Sequence, residues 1–313
     1  MSNKIIAVIG ATGAQGGGLC DAILSDAGSA FTCRAVTRDP EKDKARLLLT
    51  RGAEIIKADL DDVESLVKAF TGAHGAFCVT NFWEHLSAEK ERAQGKNLAD
   101  AAREAGVKHV IWSTLEDTRN FMDPDDTRMP MLQEKYRVPH FDAKAEADMF
   151  FADLPVTYLR TTFYWDNLYA FGLAPKRGDN GSYSWAFPMG DKRLAGIAVE
   201  DIGKLAYGIF KAGAEYIGKT VSVAGECLSI AEMGEKISHA LGIGPITYHD
   251  VDPDAYRNFG FPGADEMGNM FQFYRDFETE FCGVRSPEVA RKLNPAMMNF
   301  DAFLAKYKSL IPL

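Results

Sequence analysis

Short apolar runs at residues 5–9, 31–36, 54–57, 76–79, 107–112 and 156–159 have the length and composition of buried strands. Between them, at 19–24, 41–51, from 61, 90–105 and 141–151, apolar positions recur three and four apart, the spacing of helices with one buried stripe. Strand and helix alternating at this pitch predict βαβ units and a parallel sheet whose strand C-termini form one ligand-binding edge. Asp39-Pro40 suits the start of the second helix, with Asp as N-cap and Pro in the first helical position. The rhythm breaks over residues 113–139, which are polar and carry Pro124, Pro130 and Pro139; they predict one long loop beside the ligand edge, expected to order when a ligand binds. Beyond about residue 161 the chain turns aromatic and Gly/Pro-rich, with short helices predicted at 202–212, 230–241 and about 264–274. The expected architecture is α/β: a Rossmann domain with a doubly wound parallel sheet over residues 1–160, and a smaller α+β C-terminal lobe over 161–313, with segments interleaved.

Chemistry enters where the first run ends, in Gly10-Ala-Thr-Gly-Ala-Gln-Gly16. Gly10 permits a sharp turn, Gly13 lets backbone approach a pyrophosphate with no Cβ in the way, and Gly16 allows helix and strand to pack closely. Thr12, Ala14 and Gln15 complete the loop, and free N–H groups at the following helix start face the anion. The second strand ends in Val36-Thr37-Arg38, where a binder of unphosphorylated ribose usually carries an acid. Arg38, 22 residues beyond Gly16, can pair with a 2′-phosphate and stack on adenine, so NADP(H) is the expected cofactor. Asp59 and Leu60 after the third strand are expected to flank the adenine, and Thr80, Asn81 and Phe82 after the fourth to pass the ribose. Phe163, Tyr164, Trp165, Asp166 and Asn167 follow the sixth strand, where aromatic faces wall the nicotinamide and Asn167 can bind substrate; Trp83 can join that wall.

Composition narrows the partners. The 313 residues carry 35 Lys and Arg against 44 Asp and Glu, a formal charge of −9, and no basic cluster stands out, so direct nucleic-acid binding is not expected. No apolar run reaches a membrane-spanning length of about 20 residues, and the first strand starts too early to leave room for a signal peptide. Five scattered cysteines without a C-x-x-C spacing point to a reduced, cytoplasmic protein with no metal site.

Taken together, the glycine motif, Val36-Thr-Arg-Asp-Pro40, Val79-Thr-Asn-Phe-Trp-Glu84, His140-Phe-Asp-Ala-Lys144, Phe163-Tyr-Trp-Asp-Asn167 and Gly260-Phe-Pro-Gly-Ala264 resemble the NmrA-like family of atypical short-chain dehydrogenases, from residue 5 to about 304. The resemblance implies a Rossmann fold, NADP(H) binding, sensing of the NADPH/NADP balance and a regulatory protein partner. Short-chain dehydrogenases use a Tyr proton donor, a Lys four residues later and a Ser after the fifth strand. Here Lys144 and Ser113 stand at matching places and His140 replaces the Tyr. A helix-entry imidazole is expected to stay neutral and donate poorly, while Lys144 is expected to hold the nicotinamide ribose. Two functions stay open, an NADP(H)-responsive regulator and an NADPH-dependent reductase of a quinone, carbonyl or enone. Oligomeric state stays open too, a homodimer included.

Overall fold

Each apolar run becomes a strand of one parallel sheet, and each striped segment a helix against it. The computed structural model describes residues 3–313. In chain order the strands are β1 (Lys4–Val8), β2 (Phe31–Thr37), β3 (Glu54–Lys57), β4 (Gly75–Cys78), β5 (His109–Thr114) and β6 (Val156–Arg160). They alternate with α1 (Ala14–Ser25), α2 (Asp43–Thr50), α3 (Val63–Phe70), α4 (Ala88–Glu104) and α5 (Pro139–Phe151). Every residue of β4 and β5 is buried, as helices on both faces of a parallel sheet require.

The lobe adds β7 (Phe163–Tyr164), α6 (Asn167–Ala170), β8 (Lys176–Arg177), β9 (Tyr183–Phe187), β10 (Arg193–Ile197), α7 (Val199–Ala212), β11 (Thr220–Ser222), β12 (Glu226–Ser229), α8 (Ile230–Leu241), β13 (Ile246–Asp250), α9 (Pro253–Arg257) and α10 (Ala264–Asp276). Two of these pieces return to the first layer. Strand β11 extends the sheet to the order β11-β6-β5-β4-β1-β2-β3, with all pairs parallel. Helix α7 lies so close on α1 that a Cβ on Gly203 would sit 2.1 Å from the backbone of Gly18 and Leu19. The remaining strands form two three-stranded sheets, β12-β10-β7 and β13-β9-β8, around a core rich in Trp165, Phe271, Phe273, Phe300 and Phe303.

Strand order reverses between β1 and β4, which opens a crevice at the C-terminal edge of the sheet. The turn into α1 is where glycine is required: Gly10 has φ +65°, and a Cβ on Gly16 would lie 2.5 Å from the carbonyl oxygens of Ile9 and Gly10.

Two local expectations shift. Asp39 accepts a hydrogen bond from the Glu41 N–H at 3.0 Å, which closes a turn of its own, and α2 begins later, at Asp43. Residues 115–138 form a loop with one short 3₁₀ turn, Thr118–Phe121. That loop is clamped: Asp142, in the first turn of α5, accepts N–H bonds from Thr118, Arg137 and Val138 at 2.8–3.1 Å. From the opposite side, Asn269 and Gln272 of α10 donate to the carbonyls of Pro130 and Arg128.

Candidate functional site

The crevice is a cleft of about 1150 Å³ along the strand ends, continuing between the sheet edge and the lobe. Its near end is backbone and exposed charge. The 10–16 loop lines it through Gly10, Thr12, Gly13, Ala14, Gln15 and Gly16. Gly13 caps α1 without a side-chain bond, so the first N–H groups of the helix are free for an anion. A Cβ on Gly13 would stand 3.2 Å from Gly10 O, crowding the turn where a pyrophosphate lies in this motif; the bare backbone fits the group. Arg38 and Lys42 line the same end. The Arg38 Nη2 donates at 2.9 Å to Glu84 Oε1, which also accepts from Asn81 Nδ2 at 3.2 Å, so a bridge crosses from β2 to the segment after β4. Asp59 and Leu60 lie beneath: the Asp59 carboxylate accepts the Asp61 N–H, and the Leu60 carbonyl holds Asn97.

Comparison with known proteins adds a family. A model of the NmrA-like family matches residues 2–304. The chain belongs to that family. An NmrA-like family domain-containing oxidoreductase, FrzB of Cladobotryum sp, is 31% identical over 288 residues, which is 86% of this chain and 83% of that protein. The crystal structure of NmrA, a negative transcriptional regulator, in complex with NADP has a TM-score of 0.79 at 24% identity, covering 98% of this chain and 95% of that one. The Citrobacter sp. triphenylmethane reductase complexed with NADP(H) has a TM-score of 0.74 at 19% identity, covering 98% and 99%.

At the far end of this NmrA-like cleft the polar groups are buried and paired. Ser113 Oγ donates to Gln15 Oε1 at 2.8 Å, and Gln15 Nε2 donates to the Tyr164 hydroxyl at 2.6 Å. Burial pushes the Tyr164 phenol above its ordinary value. Lys144 directs its ammonium to Thr80 O (3.2 Å), Thr80 Oγ1 (2.6 Å) and Glu91 Oε1 (2.8 Å), a partner for each of its three protons. Reaching a ribose therefore requires one of those bonds to yield.

Glu91 is fully buried. Burial opposes its charge, but the Lys144 ammonium, hydrogen bonds from Lys144 and Thr80, and the His85 ring close to its other oxygen outweigh it and hold the carboxyl at about 2. Its Oε2 faces His85 Nε2 at 3.4 Å, and the Ser87 N–H donates to His85 Nδ1 at 3.1 Å, which places the ring proton on Nε2, toward the carboxylate.

His140 lies 5.2 Å from Trp83 and 5.7 Å from Phe82, ring to ring. Its backbone N–H and its Nδ1 both meet Glu266 Oε1, the former at 2.9 Å. Phe82, Phe163, Tyr164 and Asn167 line the cleft as expected, and so does Trp83. Trp165 does not: the chain turns after β7, and the ring, 1% exposed, packs on Phe300 and Phe303 in the lobe core, where Gly196 and Gly225 leave room for it. Of residues 113–139 only Ser113, Thr114 and Leu115 reach the cleft, so the clamped loop has lost the ligand contact on which ordering by a cofactor depends.

Lys42, His85, Glu91 and Glu266 belong to none of the motifs, and Glu84 closes one without any sign of its partner Arg38. Glu91 alone left a trace, since positions 88, 91, 95 and 98 form one helical stripe and a carboxylate interrupts Ala88, Gly95 and Leu98.

Proposed function

We propose that this NmrA-like protein is an NADP(H)-dependent oxidoreductase for a bulky, apolar acceptor. The observation that carries the reading is the continuation of the cleft past the expected nicotinamide end into a chamber walled by Trp83, Phe171, Phe259, Phe261 and Met267. Phe171, Phe259 and Phe261 keep 58%, 47% and 37% of their surface exposed, an uncovered aromatic face suited to a flat hydrophobic molecule. The names of oxidoreductase relatives agree with it. Arg38 and Lys42 at the end of β2 favour a phosphorylated ribose over NAD(H). The glycine loop would hold the pyrophosphate, and Thr80, Lys144, Phe163 and Tyr164 the nicotinamide half. When bound, the cofactor supplies hydride; the chain's own contribution is to orient the acceptor against aromatic faces and to exclude water.

A second reading, an NADP(H)-responsive regulator, is favoured by Lys144, whose protons are all engaged, and by the lack of a Tyr at position 140. NADPH oxidation measured against quinones, enones and triarylmethane dyes, beside calorimetric NADPH titration, separates the two. Turnover of a flat aromatic acceptor supports the oxidoreductase; tight binding with no turnover of any acceptor supports the regulator.

A further inference from the structure

Reduction of a carbonyl needs a proton as well as a hydride, and the cleft offers few groups able to give one. Lys144 has all three protons engaged by Thr80 and Glu91. Ser113 gives its proton to Gln15, and the phenol of Tyr164, raised by burial, gives its proton up less readily than an exposed one. His140 differs. Its Nδ1 is engaged by Glu266, whereas its Nε2 has no hydrogen-bond partner among the described residues and is not among the atoms sealed from solvent, so it opens on the cleft between the glycine-loop end and the aromatic chamber.

Resting on the oxidoreductase reading, we infer that His140 is the proton donor of the reduction and that Glu266, from the lobe, is its positioning residue. Glu266, in the first turn of α10, faces the entry of α5. It is 4% exposed, and one of its oxygens binds both the ring Nδ1–H and the backbone N–H of His140, so it fixes the tautomer, the ring plane and the position of the helix end. Trp83 and Phe82 confine the ring. A buried carboxylate holding one imidazole nitrogen while the other faces substrate is the arrangement by which His serves proton transfer.

The step balances as follows. Hydride adds to the acceptor's carbonyl carbon and forms a C–H bond. The C=O π pair moves to oxygen, and the proton on His140 Nε2 joins that oxygen to form O–H. His140 is left neutral with its Nδ1–H still on Glu266, and it regains a proton from solvent.

The test joins a spectroscopic and a kinetic arm. In ¹⁵N NMR of the unmodified protein, Nδ1 of the His140 ring should stay protonated in both charge states, with Nε2 carrying the second proton only in the donor form; a neutral ring with a bare Nδ1 and the proton on Nε2 overturns the dyad, whatever the turnover. With a quinone or enone acceptor found in the panel, His140→Gln should lower kcat about 100-fold and abolish the solvent deuterium isotope effect, leaving the NADPH Kd within about twofold; turnover of the cationic dyes alone, which take hydride without a proton, overturns the donor role. Glu266→Gln, which keeps the volume, should lower kcat about tenfold with KM little changed, and it decides the kinetics if His140→Gln fails to fold. A kcat within about threefold of the parent in either variant overturns the assignment while leaving the oxidoreductase reading intact. Absence of turnover with every acceptor overturns that reading itself, and the donor role with it.

Discussion

At the glycine-loop end of the cleft, Arg38 and Glu84 keep 62% and 46% of their side chains in contact with water; at the far end Lys144 keeps 10% and Glu91 none. Both are ion pairs of ordinary length, at 2.9 and 2.8 Å. Water changes what they are worth. An exposed pair contributes little because solvent can replace either partner, so it can open for a ligand phosphate at small cost. A buried pair contributes little as a unit, but removing one partner strands a charge in the interior. The NmrA-like cleft thus keeps adaptable charge at the end where the proposed nucleotide would enter, and fixed charge at the far end.

The largest test breaks the buried pair. Lys144→Met should destabilise the fold by about 3–5 kcal/mol in urea denaturation, because Glu91 then has no cation. Adding Glu91→Leu should restore much of the loss, since the stranded charge goes with it. Acid behaviour follows with a definite sign. A carboxyl held at about 2 contributes stability that is present above the ordinary carboxylate range and is lost as pH falls through about 2. A single variant that loses under about 1 kcal/mol would place Lys144 and Glu91 in wetter surroundings than their burial indicates.

The next test breaks the exposed pair. Arg38→Ala should move stability by under about 1 kcal/mol, yet remove about 2–3 kcal/mol of the preference for NADPH over NADH in calorimetric titrations. Equal affinities of the unmodified protein for the two nucleotides would sink it.

A third effect lies within the buried layer. Burial pushes Asp148 up to about 6, against hydrogen bonds from Thr114 and Trp112, and pushes His109 down to about 4. An acid raised in the fold binds its proton more tightly there than when unfolded, so its share of stability declines as pH climbs to about 6. A base lowered in the fold works the other way, and its share declines as pH falls toward about 4. Between about pH 4.5 and 6 the two slopes oppose each other. His109→Gln should make stability decline across that window by about 1–2 kcal/mol, and Asp148→Asn should make it rise by a similar amount. Parallel pH profiles in parent and both variants would show that neither group titrates as its burial dictates.

The same contrast governs what could be read in advance. Gly10, Gly13 and Gly16 act through backbone within one turn, so their spacing carried the meaning. The run 54–57 and the helix Ile230–Leu241 emerge at the expected bounds because local pattern and capping decide them; Ser229 and Glu232 form a capping box. The pairs that define the far end are long-range. His140 and Glu266 are 126 residues apart, and Glu266 reads in isolation as an acid suited to a helix's first turn. Trp165 reads as part of an aromatic wall beside Tyr164, and only the turn after β7 and the space left by the distant Gly196 and Gly225 send it to the core. Charges that pair across elements leave no local period, so nothing in the sequence joined Arg38 to Glu84.

The smallest effect sharpens the contrast most. In the structure Arg38 is engaged by Glu84, which accepts from Asn81 as well, so a 2′-phosphate must displace a carboxylate to reach the guanidinium. Because both side chains are largely solvated, the displaced bond is weak, well under about 1 kcal/mol. Glu84→Gln removes the competing charge but keeps the side-chain length. NADPH should therefore bind more tightly by no more than about fivefold, NADH should be unaffected, and the melting temperature should stay within about 2 °C. The gain should fade as salt rises toward about 1 M, where charges at the surface are screened. Tightening of both nucleotides alike would mean that Glu84 restrains the segment after β4 rather than Arg38, and the exposed pair would then be a latch on the backbone instead of a filter for phosphate.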